Sequence, residues 1–122
     1  MKRKKKNHKK LLRDEADYLW RRAVIEKYGN KCVICGEPAQ DIHHFVSRGK
    51  SLALRVCVEN GVPLCRKHHF LFHYRPDKFT GILIAFQRGK EWIDFLEEKR
   101  KEKPQMTVQW LESVIEKLKK KT

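Results

Sequence analysis

No segment of this 122-residue chain approaches the roughly 20 consecutive apolar residues that cross a membrane. The basic start Lys2-Arg3-Lys4-Lys5-Lys6 leads to Leu11-Leu12 and then to charges, so it lacks the apolar core of a signal peptide. Internal repeats and Gly/Ser linkers are missing too, and the length leaves room for one ordinary domain, which excludes multi-domain schemes. Acid is scarce: 15 Asp and Glu stand against 29 Lys and Arg, a formal net charge of +14. That imbalance makes a polyanion the expected partner, nucleic acid ahead of an anionic membrane. No recognition helix or aromatic stacking motif argues for base-specific reading, so binding is expected to be electrostatic and salt-sensitive. A cytoplasmic, reducing location is expected, where cysteines serve as metal ligands before disulfides.

The charge is uneven. Residues 1–13 hold eight Lys or Arg and no acid and read as a mobile basic tail or one that frays into the next helix, the last six residues add +4, and residues 31–75 carry only +4. From Asp14 to Tyr28, Ala16, Leu19, Trp20, Ala23, Val24 and Tyr28 recur at helical spacing, and Gly29-Asn30 supplies a stop. Ile42-His43-His44-Phe45-Val46 and Gly61-Val62-Pro63-Leu64 read as short strands joined by a long loop, and Arg66 to Tyr74 as a helix ended by Pro76. Thr80 is positioned to cap a helix over 81–87, although Ile82-Leu83-Ile84-Ala85-Phe86 also suits a buried strand. Trp92, Ile93, Phe95 and Leu96 extend a helical pattern to about Lys101, and Pro104 breaks it. Thr107 then caps a last helix with Val108, Leu111, Val114, Ile115 and Leu118 on one face. Trp20, Trp92 and Trp110 sit in apolar helical stripes and read as core. The expected fold class is α+β: one domain over 14–122, with a small module over 31–75 flanked by an N-terminal helix and by C-terminal helices within 80–121.

Residues 31–75 hold all four cysteines and five of the six histidines. Cys32-x2-Cys35 and Cys65-x2-His68 have the spacing of two tetrahedral zinc half-sites, because two intervening residues let one turn aim both ligands at one ion. Thiolate and imidazole both suit zinc. A small core with this much self-repulsion benefits from such a staple. The 29 residues between the half-sites exceed the usual zinc-finger hairpin, so the metal is expected to pin the base of a larger insert. Cys57 is the rival to His68 for the fourth position.

A second constellation lies beside it. His69 and His73 are four apart on the predicted helix and share a face, as two ligands of one ion would, whereas His68 is rotated by about 100° towards Cys65. His43 and His44 point to opposite sides of their strand, so one can ligate the helix-borne ion while the other is available as a base.

Taken together, Cys32-Val33-Ile34-Cys35-Gly36, Ile42-His43-His44-Phe45, Asn60-Gly61-Val62-Pro63-Leu64-Cys65, His68-His69 and His73 resemble the HNH endonucleases with their ββα-metal finger. The resemblance covers about 42 residues, a third of the chain. It implies a metal-dependent endonuclease acting on DNA. His43, His69 and His73 would hold a catalytic divalent ion (Mg2+, Mn2+, Ni2+ or Zn2+), beside a structural Zn2+ on Cys32, Cys35, Cys65 and His68. His44 would be the general base, and Asn60 would fix the orientation of its ring, although Asn-Gly is also a common turn signal. The family's frequent Cys-x2-Cys second half-site is Cys65-x2-His68 here. Arg48, Lys50, Arg55, Arg66 and Lys67 are expected phosphate contacts. With Arg48, Arg55 and Asn60 spaced after the His pair, the short basic chain also resembles phage recombination proteins of the NinG type, which implies a bacterial or phage-infected host cell and recombination or replication partners. The competing reading is a zinc-stapled DNA-binding or recombination accessory protein without cleavage activity, and His44 discriminates, since a pure binder needs no imidazole base beside a metal.

Overall fold

In the computed structural model, which describes residues 2–73 and 78–122, the first helix, α1, spans Lys2–Tyr28. It therefore begins well before Asp14, and the basic run continues the helix instead of forming a separate tail. Lys and Arg are good helix formers, no Gly or Pro interrupts residues 2–13, and a helix packed at Ala16, Trp20, Ala23 and Val24 propagates at little further cost. Gly29, at φ +85°, ends it by donating its N–H to the Ile25 carbonyl.

Strands β1 (Asp41–His44) and β2 (Gly61–Leu64) form an antiparallel pair in which His43 lies opposite Val62 and His44 opposite Gly61. The expected strand over 42–46 stops early because the Val46 N–H bonds the Asn60 side chain instead of a ladder partner. The connection is less loop-like than expected. Ser51 caps a one-turn helix, α2 (Leu52–Arg55), by accepting from the Leu54 N–H, and a 3-10 turn over Val58–Asn60 leads into β2. Gly61 is extended, not turned: a Cβ there would run into the Val24 side chain, so its missing side chain is what lets α1 lie directly on β2.

Helix α3 (Arg66–His73) follows β2 at once and completes a β–β–α unit. The stop expected at Tyr74 to Pro76 lies outside the described residues. Helices α4 (Lys78–Arg88) and α5 (Lys90–Arg100) are separated by Gly89 at φ +92°. Residues 82–86 are helical, and Thr80 lies buried inside α4 instead of capping it. Thr107 does cap α6 (Val108–Lys119), its hydroxyl accepting from the Trp110 N–H.

Two apolar clusters sandwich the strand pair. One joins Ala16, Trp20, Ala23 and Val24 of α1 to Leu111, Val114, Ile115 and Leu118 of α6, with Trp110 packed at its edge. The other gathers Cys32, Leu54, Val62, Leu64, Ile84, Trp92 and Leu96. The buried indoles of Trp20 and Trp92 donate to the Cys57 and Glu59 carbonyls at 2.7 and 2.6 Å, clamping the 3-10 turn from both sides. Among the described residues no helix is long and apolar enough to cross a membrane.

Candidate metal centres

Among the described residues, two groups of side chains can each hold a metal ion. The first is Cys32, Cys35, Cys65 and His68. The turn after Cys32 closes with the Gly36 N–H on the Cys32 carbonyl, Gly36 adopting φ +79°, and the Val33 N–H on the Pro63 carbonyl ties the knuckle to β2. The Cys35 and Cys65 sulfurs lie 3.8 Å apart, and His68 Nδ1 sits 3.2 Å from Cys65 Sγ and 3.5 Å from Cys32 Sγ. A tetrahedral zinc with Zn–S about 2.3 Å and Zn–N about 2.0–2.1 Å sets edges of about 3.8 Å between sulfurs and about 3.5 Å from sulfur to nitrogen. The donor set therefore fits zinc, with Nδ1 as the histidine ligand atom. Burial pushes the Cys32 thiol up, but the backbone N–H groups of Cys65, Cys35 and Ile34 outweigh it and hold the group below the usual thiol range, towards thiolate. Cys57 is elsewhere: it is buried, donates to Glu59 Oε2 at 3.2 Å and is pushed up to about 12, first by burial and then by the Glu59 charge. His68, not Cys57, joins the cluster.

The second group is His43, His69 and His73, with one ring nitrogen of each within 4.8 Å of the others. His43 points from β1 towards α3, where its ring meets those of His69 and His73 at 5.1 and 4.6 Å and the edge of Phe72 at 4.4 Å. Among the described residues its Nε2 is buried without a hydrogen-bond partner, an orphaned polar atom that a metal ion would satisfy. Burial, then the neighbouring His73 and His69, lower His43 to about 3, so it is neutral and able to ligate at neutral pH. Burial and His69 also hold His73 below the ordinary histidine value. His69 Nδ1 sits 3.0 Å from Asp41 Oδ2. Donation to that carboxylate leaves Nε2 as the ligand atom, the carboxylate–histidine pairing that commonly supports metal-bound imidazoles.

His44 leaves β1 on the opposite face. Its ring stacks on the Trp20 indole at 3.9 Å and 3° between planes, and Nε2 lies 2.9 Å from the Arg55 carbonyl. A carbonyl only accepts, so Nε2 carries the proton and Nδ1 presents a lone pair. Burial pushes His44 below the ordinary value, partly opposed by the Arg55 carbonyl and the Asp17 charge and reinforced by Arg48 and Arg55.

Several expected roles change. Asn60 does not hold the His44 ring: its side chain accepts from the Val46 N–H at 2.9 Å and donates to the Val46 and Leu54 carbonyls at 3.0 and 3.1 Å. It ties the two ends of the 46–54 loop together, and that loop leads to the Arg55 carbonyl. The Arg55 guanidinium is not offered to phosphate either, because it makes a two-pronged bond to Asp17 on α1 at 2.9 and 3.3 Å. Arg48 and Lys50 are exposed on the turn after β1, and the Arg48 charge acts on His44. Arg66 and Lys67 are exposed beside the cysteine cluster, lining with Cys35, Cys65 and His68 a cavity of about 450 Å³.

Asp41 and Trp20 contact these histidines, and Asp17 holds Arg55, contacts that the sequence does not announce as part of the site. Asp41 could have been found, since it stands two residues before His43 and shares its strand face. Asp17 and Trp20 reach the site across long sequence separations, with no local signal. Comparison with protein-family models, with curated proteins and with solved structures returns no match.

Proposed function

We propose that the chain is a metal-dependent endonuclease of the HNH type that hydrolyses phosphodiester bonds in DNA. The observation that carries this reading is His44, a neutral imidazole with its tautomer fixed. It stands back to back on one strand with a histidine that belongs to a three-nitrogen metal cluster. A structural staple alone would leave that second cluster, and the support of His69 by Asp41, without a role.

In this reading the proton moves from water to His44 Nδ1 as the water oxygen bonds phosphorus and the phosphorus–oxygen bond to the leaving strand breaks. The Arg55 carbonyl and the Trp20 ring hold the imidazole so that Nδ1 faces outward, and Arg55 is itself held by Asp17. His43, His69 and His73 would hold a divalent ion, which supplies positive charge to the crowded phosphorus and its departing oxygen. A set of three imidazoles suits a transition metal better than Mg2+, although substrate phosphate adds oxygen ligands. The basic stretch before Asp14, carried on α1, together with Arg48 and Lys50, would grip the phosphate backbone.

The accessory-protein reading draws on one observation, that the Trp20–His44 stack would also suit an imidazole used only for packing. Supercoiled plasmid incubated with the protein and Mg2+, Mn2+ or Ni2+ separates the two. His44→Ala is expected to lose nicking at least about 100-fold, the size of a general-base contribution, with DNA binding retained. Equal cleavage by the variant refutes the assignment of the base, and no cleavage with any of the metals refutes the nuclease.

A further inference from the structure

Phe79, Ile82, Leu83 and Phe86 of α4 are 71%, 59%, 47% and 85% exposed. They recur at i, i+3, i+4 and i+7 and so form one outward stripe, while Thr80 and Ile84 are buried and Gly81 faces Phe72 of α3. At about 200 Å² per phenylalanine and somewhat less per aliphatic residue, the stripe leaves on the order of 500 Å² of apolar surface in water, the size of the largest patch on a typical monomer, which is often functional.

We infer that this face is an interface between two copies of the chain. The stripe is symmetric about its centre, with an aromatic at each end and an aliphatic pair between. Two antiparallel α4 helices related by a two-fold axis midway between Ile82 and Leu83 would set Phe79 against Phe86 and Ile82 against Leu83, twice over. Closed dimers require this kind of self-complementarity. Two such faces bury about 1,000 Å² together, the lower bound of a specific interface. From Phe79 to Gln87 the sequence has no ionisable side chain, so pairing desolvates no charge, and Arg88 at the end of α4 is turned inward over the Tyr28 ring at 3.7 Å. The net charge of +14 opposes association of two copies, but the basic runs lie at the chain ends and not in the stripe. Added salt or bound polyanion therefore strengthens the dimer.

The consequence for DNA rests on the nuclease reading. Helix α3, which carries His69 and His73, packs on α4, so a dimer holds two histidine clusters in one assembly and cuts both strands in one encounter instead of releasing nicked circles.

Sedimentation equilibrium at about 100 μM chain in 0.5 M salt tests the inference. The parent protein is expected at twice its 14.6 kDa chain mass. Ile82→Gln/Phe86→Gln should weaken pairing at least 100-fold with zinc content and helical circular dichroism unchanged, whereas Phe95→Gln, on α5, should leave the dimer intact. Should the double variant lose zinc or helix, Phe86→Ser alone is expected to show the same shift in mass. A parent that sediments as a monomer overturns the inference, as does a double or Phe86→Ser variant that still pairs like the parent. A dimer that cuts no DNA refutes the nuclease and leaves the interface standing, and a monomer that cuts does the reverse.

Discussion

Replacing Asn60 by Ala tests how the site is held. The residue is fully buried, and its side chain makes three hydrogen bonds: from the Val46 N–H, to the Val46 carbonyl and to the Leu54 carbonyl. Alanine leaves all three backbone groups without that partner. The Leu54 carbonyl keeps the Cys57 N–H at 3.2 Å and the Val46 groups are half-buried, so each lost bond counts about 0.5–1.5 kcal/mol, giving about 1.5–4.5 kcal/mol in all. Against a total stability of about 5–15 kcal/mol that is a large fraction. A mid-range loss of about 3 kcal/mol lowers the melting midpoint of a chain of this length by about 9–15 °C. Thermal unfolding of zinc-saturated protein by circular dichroism measures the shift. Asn60→Asp should be no better, since it keeps an acceptor for the Val46 N–H but turns an oxygen on both carbonyls. A loss below about 1 kcal/mol in Asn60→Ala, or an Asp variant as stable as the parent, would refute the account of Asn60 as the tie across the 46–54 loop.

Three further outcomes are expected. Elemental analysis after gel filtration in the presence of a weak chelator should find about one zinc per chain, retained in Cys57→Ser and lost with the fold in Cys32→Ser/Cys35→Ser; full zinc in the latter would contradict the cluster. Asp41→Asn should weaken binding of a second divalent ion about 10–100-fold, read by calorimetry with Mn2+ on zinc-loaded protein, because His69 loses the carboxylate that fixes its tautomer; unchanged affinity would remove Asp41 from the site. Burial pushes the Glu59 carboxyl up, but the Cys57 thiol, its own backbone and Lys27 more than offset this and leave it below the usual carboxylate range. Its stabilisation is therefore present above the unfolded value of about 4.5 and is lost as pH falls through the lower folded value, so Glu59→Gln should flatten the acid limb of stability against pH. An unchanged acid limb would show that the Lys27–Glu59–Cys57 contact contributes nothing.

Much of the site was legible because its signals are local. The Cys-x2-Cys and Cys-x2-His spacings, the His69/His73 helical pair and the strand alternation at His43 and His44 depend only on which face a nearby residue occupies, and the structure keeps all of them. The α+β class and the capped last helix were legible for the same reason: Thr107 and the stripe from Leu111 to Leu118 are neighbours in sequence. The start of α1 was not legible, because a run of like charges with no apolar face reads as tail or as helix in isolation, and attachment to a packed helix decides for helix.

Contacts across the chain were decided by the tertiary structure alone. Asp17 takes the Arg55 guanidinium, which turns a candidate phosphate contact into a support for His44. Trp20, expected as core, is core on one side and the platform of an imidazole on the other. Asn60 acts on the loop backbone and not on the ring. The sequence by itself determined which side chains could meet a metal, because ligand spacing is set by local backbone geometry. Only the fold decided which charges remain for a partner, because that depends on what α1 and α4 place against them or leave in water.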